Sequence, residues 1–162
     1  MRKTWIICVL LALGRAEIID RVVAVVGSEP ITWSDVVKEA RLEAYFNGQP
    51  PPDPKADQRQ ALQRLIQQRL IRHEIKLAKL PPPEEAEVKT TLEGLGPVSA
   101  KPAAYSLNEQ DPADYARRVA EINSFLKQRF RNDDREIDGW LKELRTRIRV
   151  TDLTEPQPSP DK

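Results

Sequence analysis

The chain has 162 residues, of which 40% are hydrophobic and 31% charged, enough for one domain with an apolar core and too few for two full-sized domains. Its 26 basic residues nearly balance its 25 acidic ones, which excludes the bulk positive charge typical of nucleic-acid binding. A single cysteine and a single histidine exclude an intramolecular disulfide framework, a cysteine-based zinc cluster and a metal site with several histidine ligands.

The first sixteen residues have the pattern of a secretory signal peptide. Arg2 and Lys3 precede an apolar run over residues 5–13, which is followed by small residues. The run is shorter than the roughly 20 residues needed to cross a bilayer as a helix. We therefore expect residues 1–16 to direct export and to be removed, leaving no membrane span. A buried N-terminal strand or helix is the alternative interpretation.

Two segments near the ends of the remaining chain predict β-strands. Residues 20–26 read DRVVAVV, a valine-rich run typical of a buried strand, and GSEP at 27–30 predicts a turn before a short extended stretch at Ile31. Residues 147–153, RIRVTDL, alternate weakly and predict a closing strand. Because a lone strand must pair with another, we expect the two ends of the chain to meet in a small sheet.

The first two helices are predicted by a cap and by a long apolar stripe. Thr32 as N-cap, with Asp35 three residues later, predicts a helix over residues 33–46. After the proline-rich loop 47–55, Asp57 and Gln60 predict a second cap and a helix over residues 57–80. Its stripe, with spacings of three and four, consists of Leu62, Ile66, Leu70, His73, Leu77 and Leu80, widened by Leu65 and Ile71.

The remaining helices are separated by proline and glycine. Pro81 to Pro83 end the second helix and open a short one that carries Val88 and Leu92 and stops at Gly94 or Gly96. Residues 96–107 predict an irregular linker, and residues 154–162 predict a disordered, proline-rich tail. Two further helices follow the linker, with stripes at Tyr115, Val119, Ile122, Leu126 and Phe130, and at Ile137, Leu141, Leu144 and Ile148, with Trp140 beside the second stripe. Asp111 with Pro112 opens the first of these, and Asp133 or Asp134 caps the second.

No familiar catalytic motif is present. His73 lies beside an apolar stripe without a catalytic partner in the sequence, and no Gly-x-Ser-x-Gly elbow occurs. Gly94-Leu95-Gly96 lacks the Gly-Lys-Ser/Thr ending of a phosphate loop. Acidic pairs at 84–85 and 133–134 are explained by helix capping. We therefore expect a protein that is not an enzyme and uses no cofactor or metal.

The combination of amphipathic helices and proline-rich hinges predicts apolar grooves of the kind that bind peptides or unfolded chains. Large apolar residues on the predicted helices are the candidates for contact with such clients, and packing in the core is their alternative role. The candidate client-binding residues are Trp33, Tyr45, Phe46, Leu62, Leu65 and Trp140.

The segment over residues 19–46 resembles the start of the SurA-like family of periplasmic chaperones and peptidyl-prolyl isomerases. The likeness lies in DRVVAVV at 20–26 followed by ITWSDV at 31–36, a strand, a turn and a helix start in that order. Residues 61–78, ALQRLIQQRLIRHEIKLA, are similar to a helix of the family. Weaker likenesses are FLKQRFR at 125–131 and the helix and strand from Trp140 to Val150.

One departure from this family decides what the resemblance implies. Family enzymes carry one or two parvulin-type isomerase domains between their N-terminal helices and their C-terminal helix. Here only residues 132–135 separate the likeness at 125–131 from the last helix, so the isomerase residues have no positions in this chain. The resemblance implies a mainly helical chaperone core of four to five helices over residues 17–153, whose N-terminal and C-terminal strands pair.

Two hypotheses about function follow. The first is a periplasmic, ATP-independent holdase that shields unfolded segments of outer-membrane or secreted proteins. The second is a non-catalytic adaptor in the cell envelope that binds one partner or forms a homodimer through its helices. The range of substrates distinguishes the two hypotheses. A holdase suppresses the aggregation of several unrelated substrates, whereas an adaptor suppresses none. A residual isomerase is a third reading, which absence of proline isomerisation on a short peptide would remove.

Overall fold

The computed structural model describes residues 20–56, 58–96, 100–131 and 133–154. The predicted signal peptide at 1–16 lies outside these residues, as does the predicted tail beyond Thr154. The described chain is mainly helical with a small antiparallel sheet, which confirms the predicted fold class. In chain order its elements are β1 (Val22–Val26), β2 (Glu29–Thr32), α1 (Trp33–Phe46), α2 (Arg59–Leu77), α3 (Glu85–Gly94), a 3-10 turn (Pro102–Tyr105), α4 (Asp111–Phe130), α5 (Asp134–Arg147) and β3 (Val150–Asp152).

The sheet joins the two ends of the described chain, as the sequence predicted. Its strand order is β2-β1-β3, and β1 pairs with β3 in antiparallel register, with Val25 opposite Thr151. The sequence offered the closing strand as the partner of β1 and treated Ile31 only as a brief extended stretch. In the structure this stretch forms β2, because a turn through Gly27 folds Ile31 back opposite Ala24. Gly27 has a φ of 61°, a conformation that glycine adopts without strain.

Helix α1 has the predicted bounds and the predicted cap. The Asp35 backbone N–H donates to Thr32 Oγ1 at 3.3 Å, and the Thr32 backbone N–H donates to Asp35 Oδ2 at 3.0 Å. This reciprocal pair satisfies two of the backbone groups that the helix start leaves free. Since Thr32 is also the last residue of β2, the cap places α1 directly after the hairpin.

Helix α2 is shorter than predicted and buries a different set of residues. It begins at Arg59, with Gln58 in the cap position, and Asp57 of the predicted capping box lies outside the described residues. At its end, His73 and Leu77 are exposed although the stripe included them, and Leu77 is 66% exposed. The helix contacts β1, β2, α1, α4 and α5, and neighbours on several sides bury positions outside a single stripe, Ile75 among them.

The later helices follow the prediction in their bounds more closely than in their buried faces. Helix α3 ends at Gly94, and the Asp133 side chain caps α5, accepting from the backbone N–H groups of Arg135 and Glu136. The linker expected to be irregular contains a 3-10 turn and two buried side chains, Tyr105 and Leu107. On α4 the predicted stripe is only partly buried, while the buried apolar residues beyond the first turn are Ala116, Ala120 and Phe125.

The core divides into one large cluster and two smaller ones. The large cluster lies between the sheet and α1, α2, α4 and α5, and its least exposed large residues include Ile31, Leu70 and Leu144. An aromatic cluster joins the end of α1 to the 3-10 turn through Tyr45 and Tyr105. A third cluster fixes α3 on α4 and consists of Val88, Ala116 and Ala120.

Candidate peptide-binding grooves

Five of the six residues predicted to contact clients lie in the core. Tyr45 and Phe46 belong to the aromatic cluster, where their ring centroids are 5.2 Å apart in an edge-to-face arrangement. Leu62, Leu65 and Trp140 belong to the large cluster, and each of the five is at most 8% exposed. The core-packing alternative therefore describes them in this conformation. Their role in client binding stays a prediction that requires the core to open.

Trp33 is the sixth candidate and remains partly accessible. Its ring packs against the large cluster, and the Arg21 guanidinium lies 4.8 Å from the ring centroid, a cation–π contact. Val23 and Val36 line a cleft of about 180 Å³ with it. The six candidates thus form no common surface, because they are divided between two separate clusters.

A polar cleft between α1, α2 and α4 is occupied by paired charges. The Glu39 carboxylate is 2% exposed and accepts from Gln68 Nε2 at 2.7 Å and from Arg118 Nη2 at 3.0 Å. Arg72 Nε donates to Glu121 Oε2 at 2.9 Å, which ties α2 directly to α4. Since buried charges are stable only when paired, these bonds fix the three helices relative to one another.

The same surroundings act on a neighbouring tyrosine. Burial raises the pKa of the Tyr115 hydroxyl, and the nearby Glu39 carboxylate acts in the same direction. The phenol therefore stays protonated well into the alkaline range. Its ring stacks on Phe46 at a centroid distance of 5.3 Å, which links the start of α4 to the aromatic cluster.

A first open groove, the α2–α4 groove, follows directly beside this polar cleft. It has a volume of about 210 Å³ and is lined by the aliphatic side chains of Ile71, Val119 and Ile122, with Arg64 among its polar residues. Arg64 is paired with the Glu43 side chain. The other polar lining residues are the uncharged Gln67, Gln68 and Asn123. Sites for small-molecule ligands usually measure about 300–1,000 Å³, so this groove suits one side chain better than a metabolite.

A second open groove, the proline groove, lies where α2 ends. It has a volume of about 300 Å³, and its apolar lining comes from Ile75, Leu80 and Phe125 together with the prolines at 81–83. Three carboxylates, those of Glu84, Glu87 and Glu121, and the polar side chains of Ser124 and Gln128 complete it. The residue after α2 that allows the chain to turn here is Lys79, which has a φ of 52°.

Successive turns of the same two helices supply both grooves. Ile71 and Ile75 are four residues apart on α2, and Ile122 and Phe125 are three apart on α4, so each pair lies on one side of its helix. The predicted stripes contained Ile71, Val119, Ile122 and Leu80, whereas Ile75 and the lining role of the prolines were missed. The signal for Ile75 was its spacing of four from Ile71, which continued the apolar side past His73.

Comparisons of the chain with protein-family models, with curated proteins and with solved structures found no match. The likeness to SurA-like chaperones therefore depends on the sequence pattern alone. Among the residues that the structure describes, no helix combines the length and the apolar character needed to cross a membrane. Within the same part of the chain, no three His, Cys, Asp or Glu side chains are grouped so that they could hold a metal ion.

Proposed function

We propose that this protein is an ATP-independent holdase of the periplasm that binds unfolded segments of outer-membrane or secreted proteins and has no isomerase domain. The observation that carries the proposal is the pair of adjacent, solvent-open grooves along α2 and α4, each with an apolar lining and polar residues around it. Polar surroundings keep such a surface soluble when it is empty, and the apolar lining gives binding without sequence-specific contacts.

The spacing of the grooves suits an extended peptide. Their lining residues on α2 are one helical turn apart, a rise of about 5–6 Å. Side chains at positions i and i+2 of an extended chain point to the same side and are about 6–7 Å apart. Two alternate apolar side chains of an unfolded segment would therefore enter the two grooves together. Each contact buries little area, so binding is weak at each site and strengthened when both are occupied.

The N-terminal sequence pattern also supports the proposal. The strand, the turn and the capped helix that carry the resemblance to the SurA-like family occur here as β1, the turn at residues 27–28 and α1. In that family the first and last strands of the chaperone core are expected to pair, and β1 and β3 do so in this chain. The predicted signal peptide at 1–16 supports export to the compartment in which such chaperones act.

Light scattering tests the proposed activity. The full chain is expressed in cells and purified with any N-terminal processing that occurs there. It is then added to an aggregating outer-membrane protein and to an unrelated soluble protein, each diluted from denaturant. A holdase suppresses scattering from both substrates at near-stoichiometric ratios. If neither signal falls while circular dichroism shows a folded helical protein, the proposal is wrong and the dedicated adaptor becomes the better hypothesis.

A further inference from the structure

The charges of the proline groove are unbalanced. Its lining contains three carboxylates and no lysine or arginine. Glu121 is neutralised by Arg72 at 2.9 Å, but Glu84 and Glu87 have no cationic partner among the described residues. The α2–α4 groove differs, since its lining cation, Arg64, is paired with Glu43. Two uncompensated negative charges therefore lie beside one of the two apolar grooves and not beside the other.

Helix capping does not fully account for this arrangement. Acidic residues at the start of α3 interact favourably with the helix dipole, and this holds for any side of the first turn. Glu85 lies in the same turn, yet it forms an ion pair with Arg117 at 2.7 Å and does not line the groove. Glu84 and Glu87 are the two that face an apolar surface formed partly by Leu80 and Phe125.

We propose that the proline groove selects segments in which a lysine or arginine lies two residues from an aromatic or large aliphatic residue, and so on the same side of the extended chain. The apolar side chain enters the groove, and the cation two residues away reaches Glu84 and Glu87. Lysine and arginine suit this position because their aliphatic stems can lie along apolar surface while their charged ends reach outwards. This inference deepens the proposed holdase function and depends on it, because it names the class of segment that is bound.

The selectivity is expected to be local and sensitive to salt. The whole chain has a formal net charge of +1, so long-range attraction does not favour basic clients. Attraction between partly exposed charges is modest and is screened beyond about 8–10 Å at physiological ionic strength. Basic segments should therefore bind severalfold tighter at low salt, and the preference should shrink at high salt.

Fluorescence anisotropy with three labelled peptides tests this inference. The peptides are identical extended segments containing two phenylalanines in alternate positions, and the residues two positions before and two positions after this pair, on the same side of the extended chain, are Lys, Gln or Glu. With the wild-type protein we expect the Lys peptide to bind about three- to tenfold tighter than the Glu peptide at low salt, with the Gln peptide between them. Equal affinities for the three peptides, or no binding of any, overturn the inference.

Matched variants assign the preference to the groove. Glu84→Gln with Glu87→Gln should abolish the order of affinities, and Glu84→Lys with Glu87→Lys should reverse it. Glu93→Gln with Asp138→Asn changes the net charge equally at positions outside the groove and should leave the order intact. If this control abolishes the preference equally, the groove assignment is wrong. The scattering assay is read separately, so suppression of aggregation without charge preference rejects this inference and retains the holdase.

Discussion

Arg118 of α4 donates from Nη2 to Oε2 of Glu39 in α1 at 3.0 Å, and the Glu39 side chain is only 2% exposed. Gln68 of α2 donates to the other carboxylate oxygen, so one buried carboxylate joins three helices. Both open grooves lie along two of these helices, α2 and α4. The spacing of the proposed binding surface thus depends on a polar contact in the adjoining cleft.

Arg118→Met should destabilise the protein by about 2–4 kcal/mol, because it leaves a buried carboxylate without its cation. The double variant Glu39→Met with Arg118→Met should cost less than the single one, since the unpaired charge is removed with its partner. Urea denaturation with coincident fluorescence and circular dichroism transitions measures both. If the double variant is at least as unstable as Arg118→Met alone, the ion pair does not act as described.

Leu153→Pro should lower the free energy of unfolding by about 1–2 kcal/mol. The Leu153 backbone N–H donates to the Val23 carbonyl at 2.9 Å, directly after β3, and proline removes this donor. The Leu153 side chain is 48% exposed, so Leu153→Ala is the matched control and should change stability by less than about 0.5 kcal/mol. Equal stability of the two variants in thermal melts would show that the bond between the chain ends contributes little.

Val119→Ser should weaken the suppression of aggregation about two- to fivefold, because it removes an aliphatic side chain from the α2–α4 groove. Val22→Ser is the control, since Val22 is 41% exposed on β1 and lines neither groove. The readout is the chaperone concentration that halves light scattering, after circular dichroism has verified that both variants are folded. A larger loss with Val22→Ser than with Val119→Ser would place the binding surface elsewhere.

Acidification should reduce the stabilising contribution of Glu29. The Lys76 side chain donates to this carboxylate and, with Arg69 at 3.3 Å, holds its pKa below the ordinary value of 4.5. Because the folded-state pKa is lowered, the contribution is complete above about pH 4.5 and is lost as the pH falls through the folded-state pKa. Because Glu29 is partly exposed, its contribution to the free energy of unfolding should stay below about 1 kcal/mol.

The variant Glu29→Gln isolates this contribution. At neutral pH it should be less stable than the wild type, and the difference in unfolding free energy should shrink as the pH is lowered to about 3. Urea denaturation at several pH values measures the difference. A gap that stays constant over this range would mean that the contacts of Glu29 with α2 do not depend on its charge.

Local chemistry in the sequence determined several elements closely. Thr32 and Asp35 specified the start of α1, because a capping box uses only residues three apart. The proline-rich segments before and after α2 limited that helix at both ends. The valine-rich run at 20–26 indicated a strand, and its need for a partner pointed to β3, although β2 supplies a second partner that the sequence analysis did not count. These features depend on neighbours in sequence or on a single requirement for pairing.

Only the tertiary structure decided which apolar residues became core and which line grooves. On α4 the small residues Ala116 and Ala120 allow close approach to Val88 of α3, and the larger Val119 and Ile122 are left at the edge of a groove. Trp140 is buried against Phe125 and Phe130, at ring centroid distances of 5.6 and 5.0 Å. Periodicity reports that a helix has an apolar side, but the neighbours that cover it come from distant parts of the chain, which the pattern of one helix does not contain.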